Sequence, residues 1–294
     1  MCDRRSSPII VKQEYQLRHA PQLLEVLSSG CDIVVASVND SPHYLSMVDD
    51  WLRFWEAVNK RAGTSIFPVI LGVDLQAQHI SQYAANHVVH IEPSRPDLRR
   101  SALVAQLSRI IWPGTLPDSS GLVMTSDIDM FPLSLKGFEI GCSKASNSAG
   151  FVIVRNVLEA DSQFPICYCV ASPAIWRKAM STSGAFPDDL DLALSESPEY
   201  SGEHGGNGWF SDQQLLYSRA TAWELAGGNL VRLYDHETGH KRLDRTSHIA
   251  RTIVSAPLVA GGRWTDFHAY PRSLASRSLN RWILFWLGLG AKRH

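Results

Sequence analysis

The sequence lacks most of the features that assign a chain to a class at once. Its cysteines, Cys2, Cys31, Cys142, Cys167 and Cys169, are odd in number and hold no Cys-x-x-Cys pair, which argues against a zinc site or a full disulfide framework. They read as buried, reduced thiols, and the expectation is a cytoplasmic protein, either free or peripheral at the cytosolic membrane face. The opening Met1-Cys-Asp-Arg-Arg-Ser has no apolar core of a signal peptide, and no run reaches the roughly 18 apolar residues of a spanning helix. Neither sign of charge prevails: 28 basic residues stand against 29 acidic ones, a net charge of −1. That excludes a globally basic nucleic-acid binder but leaves room for a local phosphate-binding patch. Internal repeats, low-complexity tracts and clear linkers are also missing. With 45% hydrophobic and 19% charged residues over 294 positions, the chain can build a full core, so function has to come from a site.

What is present is an alternation of strand-like and helix-like stretches. Hydrophobic spacing predicts a helix around Ala20 to Leu27, a buried strand at Cys31-Asp-Ile-Val-Val-Ala-Ser37, and a helix over Tyr44 to Ala62. A strand over Ser65 to Val73, a helix over Leu75 to Asn86, a strand at His87 to Ile91 and a helix ending near Trp112 follow. Later come strands at Leu122 to Met124, Gly150 to Val154 and Phe164 to Ala171, helices from Pro173 and from Ser211, and an acidic loop or short helix over Asp188 to His204. This order predicts the α/β class, with a mostly parallel central sheet flanked by helices. One domain is expected over residues 31–270, with an N-terminal extension or helix over 1–30 and a hydrophobic, basic tail over 271–294.

The chemistry is stated most directly at Gly121-Leu-Val-Met-Thr-Ser-Asp127-Ile-Asp129-Met-Phe-Pro-Leu133. A short buried strand runs into polar residues at its C-terminal end, where open α/β sheets place their ligands. With strand period 2, Asp127 and Asp129 would share a side about 6 to 7 Å apart at Cα. Two carboxylates so close repel, and a divalent cation removes the repulsion while holding a diphosphate at its other positions. The phosphohydrolase pattern Asp-x-Asp-x-Thr/Val fits less well, because it normally follows a first strand and Phe131 stands where Thr or Val belongs.

Four further places carry candidate residues. Arg95, Arg99, Arg100 and Arg109 form an arginine-rich stretch, and Arg109, set among apolar residues, is the best candidate to meet a diphosphate or brace the aspartates. At Trp209-Phe-Ser-Asp212-Gln213-Gln-Leu-Leu-Tyr217 a polar pair opens an apolar helix, where Ser211 or Asp212 is either an N-cap or part of a site. His268, in Gly261-Gly-Arg-Trp-Thr-Asp-Phe-His268-Ala-Tyr270-Pro271, is a candidate third metal ligand. The tail Leu279-Asn-Arg-Trp-Ile-Leu-Phe-Trp-Leu-Gly-Leu289, ending in Lys292 and Arg293, either packs as a last helix or lies in a membrane interface over residues 279–293.

Taken in order, these segments resemble the GT-A-fold (Rossmann-like) glycosyltransferases, in particular retaining family 8 enzymes of the glycogenin and lipooligosaccharide galactosyltransferase kind. The resemblance rests on Asn39-Asp-Ser-Pro-His-Tyr44 after the first strand, Ser108-Arg109-Ile-Ile-Trp-Pro113 before the aspartates, Ser126-Asp127-Ile-Asp129, and Asp212-Gln213-x-x-Leu216. It departs from the family at Tyr217, where the family has Asn, and at the end, where His-x-x-Gly-x-x-Lys-Pro-Trp is replaced by His268 with Tyr270-Pro271-Arg272.

The resemblance implies transfer of a sugar from a nucleotide-diphosphate sugar, with a UDP-sugar favoured, to a carbohydrate or glycolipid hydroxyl. It implies Mn²⁺ or Mg²⁺ on Asp127, Asp129 and His268, and donor contacts from Ser37, Asn39, Tyr44, Arg109, Ser126 and Asp127. Asp212 and Gln213 would serve the donor sugar; with Asp212 as general base the enzyme would instead invert. A non-catalytic nucleotide-sugar or glycan-binding module is the competing class. A nucleotidyltransferase is disfavoured because Ser37-Val-Asn-Asp-Ser-Pro-His43 is neither glycine-rich nor basic.

Overall fold

The computed structural model describes residues 15–19, 21–93, 98–197, 200–201, 205–243, 262–269 and 274–289. Cys2, Arg95, His204, Tyr270, Pro271, Arg272, Lys292 and Arg293 lie outside these. In chain order the elements are β1 (Tyr15–His19), α1 (Pro21–Ser28), β2 (Ile33–Asn39), α2 (Pro42–Leu45), α3 (Val48–Ala62), β3 (Phe67–Val73), β4 (Val88–Pro93) and α4 (Leu98–Ile111). Next are β5 (Val123–Thr125), β6 (Met130–Pro132), α5 (Lys136–Ser148), β7 (Phe151–Ile153), β8 (Cys169–Ala171), α6 (Pro173–Ala179), α7 (Phe186–Glu196) and α8 (Ser211–Leu225). The last are β9 (Leu230–Arg232), α9 (Asp235–Thr238), β10 (Arg242–Leu243), β11 (Asp266–His268) and a C-terminal helix, Leu274–Leu284.

The protein is α/β, built on an eight-stranded sheet in the order β1-β4-β3-β2-β5-β8-β7-β9. Its centre is parallel, as expected: β2 pairs in parallel with β3 and β5, and β3 with β4. The rest is mixed, because β1 runs antiparallel to β4 and β8 antiparallel to β5 and β7. The segment expected as an N-terminal extension thus supplies an edge strand of the same sheet.

β2 shows why the centre forms. Its apolar run is buried on both faces, as parallel strands require. Val34, Ala36 and Val38 enter one core cluster with Trp51, Trp55 and Phe54 of α3, whereas Ile33 and Val35 enter the other with Leu103, Leu107 and Ile110 of α4. The alternation of the pleat therefore sorts the chain into two helix-covered layers. Gly121 lets β5 approach β2, since a Cβ there would lie 2.5 Å from the Cys31 carbonyl. α3 ends at Gly63 in the left-handed region, φ 69°, a helix stop that glycine adopts without penalty.

Two local expectations are corrected and a third is decided. Leu75 to Asn86 forms two short 3₁₀ turns, Ala77–His79 and Ala85–His87, in place of a helix. The Ser81 hydroxyl donates to Asp49 at 2.6 Å and accepts from the Ala84 N–H, offering the backbone an alternative to helix. Within Phe164 to Ala171 only Cys169–Ala171 is strand. Asp188 to His204, left open between loop and helix, contains the 11-residue helix α7, begun by Phe186-Pro187. The tail's inner face is core: Leu279, Ile283, Leu284 and Leu287 are buried in the α3 cluster.

Candidate active site

β5 ends at Thr125, and the chain leaves the main sheet there to enter a three-stranded sheet, β10-β11-β6. Ser126 still follows β2, its N–H donating to Val35 O at 2.8 Å. Asp127 to Met130 is then a turn closed by Met130 N–H to Asp127 O at 3.1 Å. The two aspartates therefore do not share a strand face, as period 2 predicted. The turn sends them to different partners.

Asp127 turns toward α4. Arg109 donates through Nη1 to Asp127 and through Nη2 to Asp212, with Nε reaching Asp212 Oδ2 at 3.2 Å. One guanidinium thus ties the strand-end turn to the first turn of α8, a segment 103 residues away in sequence. Burial works against the charge on Arg109, but the carboxylates of Asp127 and Asp212 outweigh it and hold the guanidinium above its usual range. Burial pushes the Asp212 carboxyl up, and Arg109 opposes that shift. The side chain of Asp212 is 1% exposed and that of Asp127 29%, so only Asp127 offers an edge to solvent.

Asp129 turns the other way. β11 pairs antiparallel with β6 in the register His268 to Met130, and Ala269 N–H donates to Asp129 O at 2.7 Å. That register sets His268 Nε2 3.2 Å from Asp129 Oδ2. Tyr44, after β2, lies close enough to feel both aspartates: burial and then Asp129 and Asp127 push its hydroxyl up to about 12. Burial and the charge of Asp212 likewise raise the Tyr200 hydroxyl, and Tyr200 stacks on Trp209 at 6.2 Å between ring centroids.

The other sequence candidates spread around this centre. Asn39 donates to Ser101 of α4 at 3.1 Å and accepts from Ser41 N–H, and Ser37 is buried on the same strand. Gln213 packs through its backbone, its carbonyl accepting from Phe164 N–H at 3.2 Å. Its side-chain Oε1 is buried with no hydrogen-bond partner among the described residues.

Sequence reasoning missed a second polar centre behind the turn. Arg242 of β10 donates through Nη2 to Asp266 Oδ2 at 3.1 Å and to Cys167 Sγ at 3.4 Å. His240 and Tyr168 also reach Asp266 Oδ2, both at 3.1 Å. The Cys167 thiol, raised first by burial and then by Asp127, joins this group to the Asp127 side. The only signal was Asp266 inside an aromatic cluster; its partners lie more than 20 residues away along the chain.

For a divalent cation, Asp129 and His268 are a converging oxygen and nitrogen donor pair of the kind Mn²⁺ accepts. Among the described residues no group of three or more His, Cys, Asp or Glu side chains is arranged to hold a metal, and Asp127 is engaged with Arg109. The donor set fits a cation held by one or two carboxylates together with substrate phosphates. Compared with known proteins, the chain matches no protein family and no curated protein.

Proposed function

We propose that the protein is a GT-A-type glycosyltransferase that moves a sugar from a nucleotide-diphosphate sugar, a UDP-sugar in the favoured case, to a hydroxyl of a carbohydrate or glycolipid. The observation that carries the reading is the convergence of distant segments on one strand end. Asp127 after β5 joins Arg109 of α4 and Asp212 of α8, Asp129 joins His268 of β11, and Tyr44 after β2 feels both aspartates. The carboxyl end of a central parallel strand is where such sheets bind nucleotides.

On this reading Asp129 and His268, with the open edge of Asp127, hold Mn²⁺ or Mg²⁺ together with the donor diphosphate. Such a cation supplies Lewis-acid stabilisation of the charge that grows on the departing diphosphate. Arg109 fixes the orientation of Asp127. Asn39 and Tyr44, at and after the end of β2, would orient the nucleotide, whereas Ser37 and Ser126 are buried and would support the strand ends beneath it. Gln213 would face the reacting carbon, its unpaired buried oxygen supplying a dipole to positive charge developing there. Asp212 is already paired with Arg109 and shut from solvent, which favours a positioning role and the retaining outcome over service as a general base.

A screen of nucleotide sugars for metal-dependent hydrolysis and transfer tests the reading. Asp127→Ala and Asp129→Ala should abolish chelator-sensitive nucleoside diphosphate binding in a folded protein, and His268→Ala should weaken metal and donor binding together. Equal affinity with and without chelator would overturn the metal assignment. Tight donor binding with no sugar ever turned over would make the protein a binding module instead.

A further inference from the structure

The C-terminal helix and the π turn that ends it, Phe285–Leu289, divide their residues between two environments. Leu279, Ile283, Leu284 and Leu287 are buried against α3, and Asn280 donates to Asp50 Oδ2 at 2.8 Å. The opposite side carries Arg281, Phe285 and Trp286, with Trp282, half-buried against the same core, at its edge. Phe285 is 53% and Trp286 37% exposed, and their neighbours there are one another: the centroids of Trp282 and Trp286 lie 6.2 Å apart, those of Phe285 and Trp286 5.9 Å.

Charge decides what such a face would meet. Residues 271–294 hold Arg272, Arg277, Arg281, Lys292 and Arg293 and no acidic residue, while the rest of the chain has 23 basic against 29 acidic residues. An exposed aromatic face on an exclusively cationic segment has the chemistry that anionic lipid headgroups attract, with about 1 kcal/mol for each basic residue near the surface. A symmetric contact with a second copy would set two such cationic segments against each other, at a repulsive cost.

We propose that this face docks the protein peripherally on an anionic membrane surface, with Phe285 and Trp286 at the headgroup boundary and the cationic charge of the segment attracting it to the lipid phosphates. Among the described residues no helix is long and apolar enough to cross a membrane. The inner face is committed to the core, so the contact is lateral. The inference stands apart from the glycosyltransferase reading, because lipid binding needs neither donor nor metal.

The test is co-sedimentation of the full chain with phosphatidylglycerol-containing vesicles and with phosphatidylcholine vesicles, with tryptophan emission as a second readout. The parent should bind the anionic vesicles, shift its emission to the blue on binding, and weaken with added salt. Phe285→Ser with Trp286→Ser should lower partitioning by about tenfold or more without changing the melting temperature. If that pair unfolds the protein, Lys292→Glu with Arg293→Glu should lower it instead. No binding by the parent, equal binding to neutral vesicles, or unchanged binding by folded variants overturns the proposal. So does a parent dimer in lipid-free sedimentation velocity that the Phe285 and Trp286 variant breaks, since the face would then belong to a second copy.

Discussion

Arg109 and Arg242 each anchor carboxylate charge from a distant segment, yet they leave it in different states. Arg109 divides itself between two, Asp127 and Asp212, and the side chain of Asp127 remains 29% exposed. Arg242 serves one carboxylate, Asp266, which is 0% exposed and shares its oxygens with His240 and Tyr168. The first centre is open on the side where the strands end, so its charges can be exchanged for those of a ligand. The second is closed, and its effect is geometric. It pins β10 to β11 at the pair Arg242 and Asp266, and the same strand β11 carries His268 to Asp129. On the proposed reading the first centre is the one used, and the second holds its neighbour in register.

The largest expected effect follows from the closed centre. Asp266→Ala leaves the Arg242 guanidinium, whose side chain is 17% exposed, without its carboxylate, and breaking such a buried pair costs about 3–5 kcal/mol. Denaturant unfolding at neutral pH measures it. A loss below about 1 kcal/mol would remove the distinction between the centres.

A somewhat smaller effect appears with acid. Burial alone would raise the Asp266 carboxyl, but Arg242 and His240 overcome that and hold it well below its ordinary 3.8. A depressed folded-state value contributes stability that is present above the unfolded value and lost as the pH falls below it. Unfolding free energy should therefore decline as the pH drops below about 4, and Asp266→Asn should flatten that decline. An acid limb of the same slope in the variant would mean that other carboxylates carry it.

The sequence made the alternation of elements, the two-faced burial of the central strands and the polar end of β5 legible, because each is local: a run of β-branched residues, a polar break at a strand end. Arg109 was legible too, since a guanidinium among Leu107, Ile110 and Ile111 needs an acidic partner. Which acids it would choose was not. The expectation of a shared strand face for Asp127 and Asp129 failed because the chain turns at Ile128 and changes sheets, an event set by the pairing of β6 with β11 well over 100 residues later. Arg242, His240 and Tyr168 escaped notice for the same reason. Their meaning comes from β10–β11 register and from Asp266, not from their neighbours in sequence. The helix expected over Leu75 to Asn86 was lost to a hydroxyl, Ser81, whose partner lies on α3.

The smallest effect on stability should come from Gln213, and it sharpens the comparison most. Its backbone already secures the first turn of α8 through Phe164, while its side-chain Oε1 is buried without a partner among the described residues. An unsatisfied buried amide oxygen costs about 1–3 kcal/mol, so Gln213→Ala removes a burden along with a few packing contacts. The net change in unfolding free energy should stay within about 1 kcal/mol. If the open centre is the one used in transfer, the same substitution should slow turnover while donor affinity moves by less than about 1 kcal/mol, because a dipole facing the reacting carbon acts mainly in the transition state. Asp266→Ala should show the reverse order, with loss of stability as its dominant effect. A Gln213→Ala protein that is as unstable as Asp266→Ala, and as active per folded molecule as the parent, would place Gln213 with the closed centre and leave the open one without its assigned contact to the donor sugar.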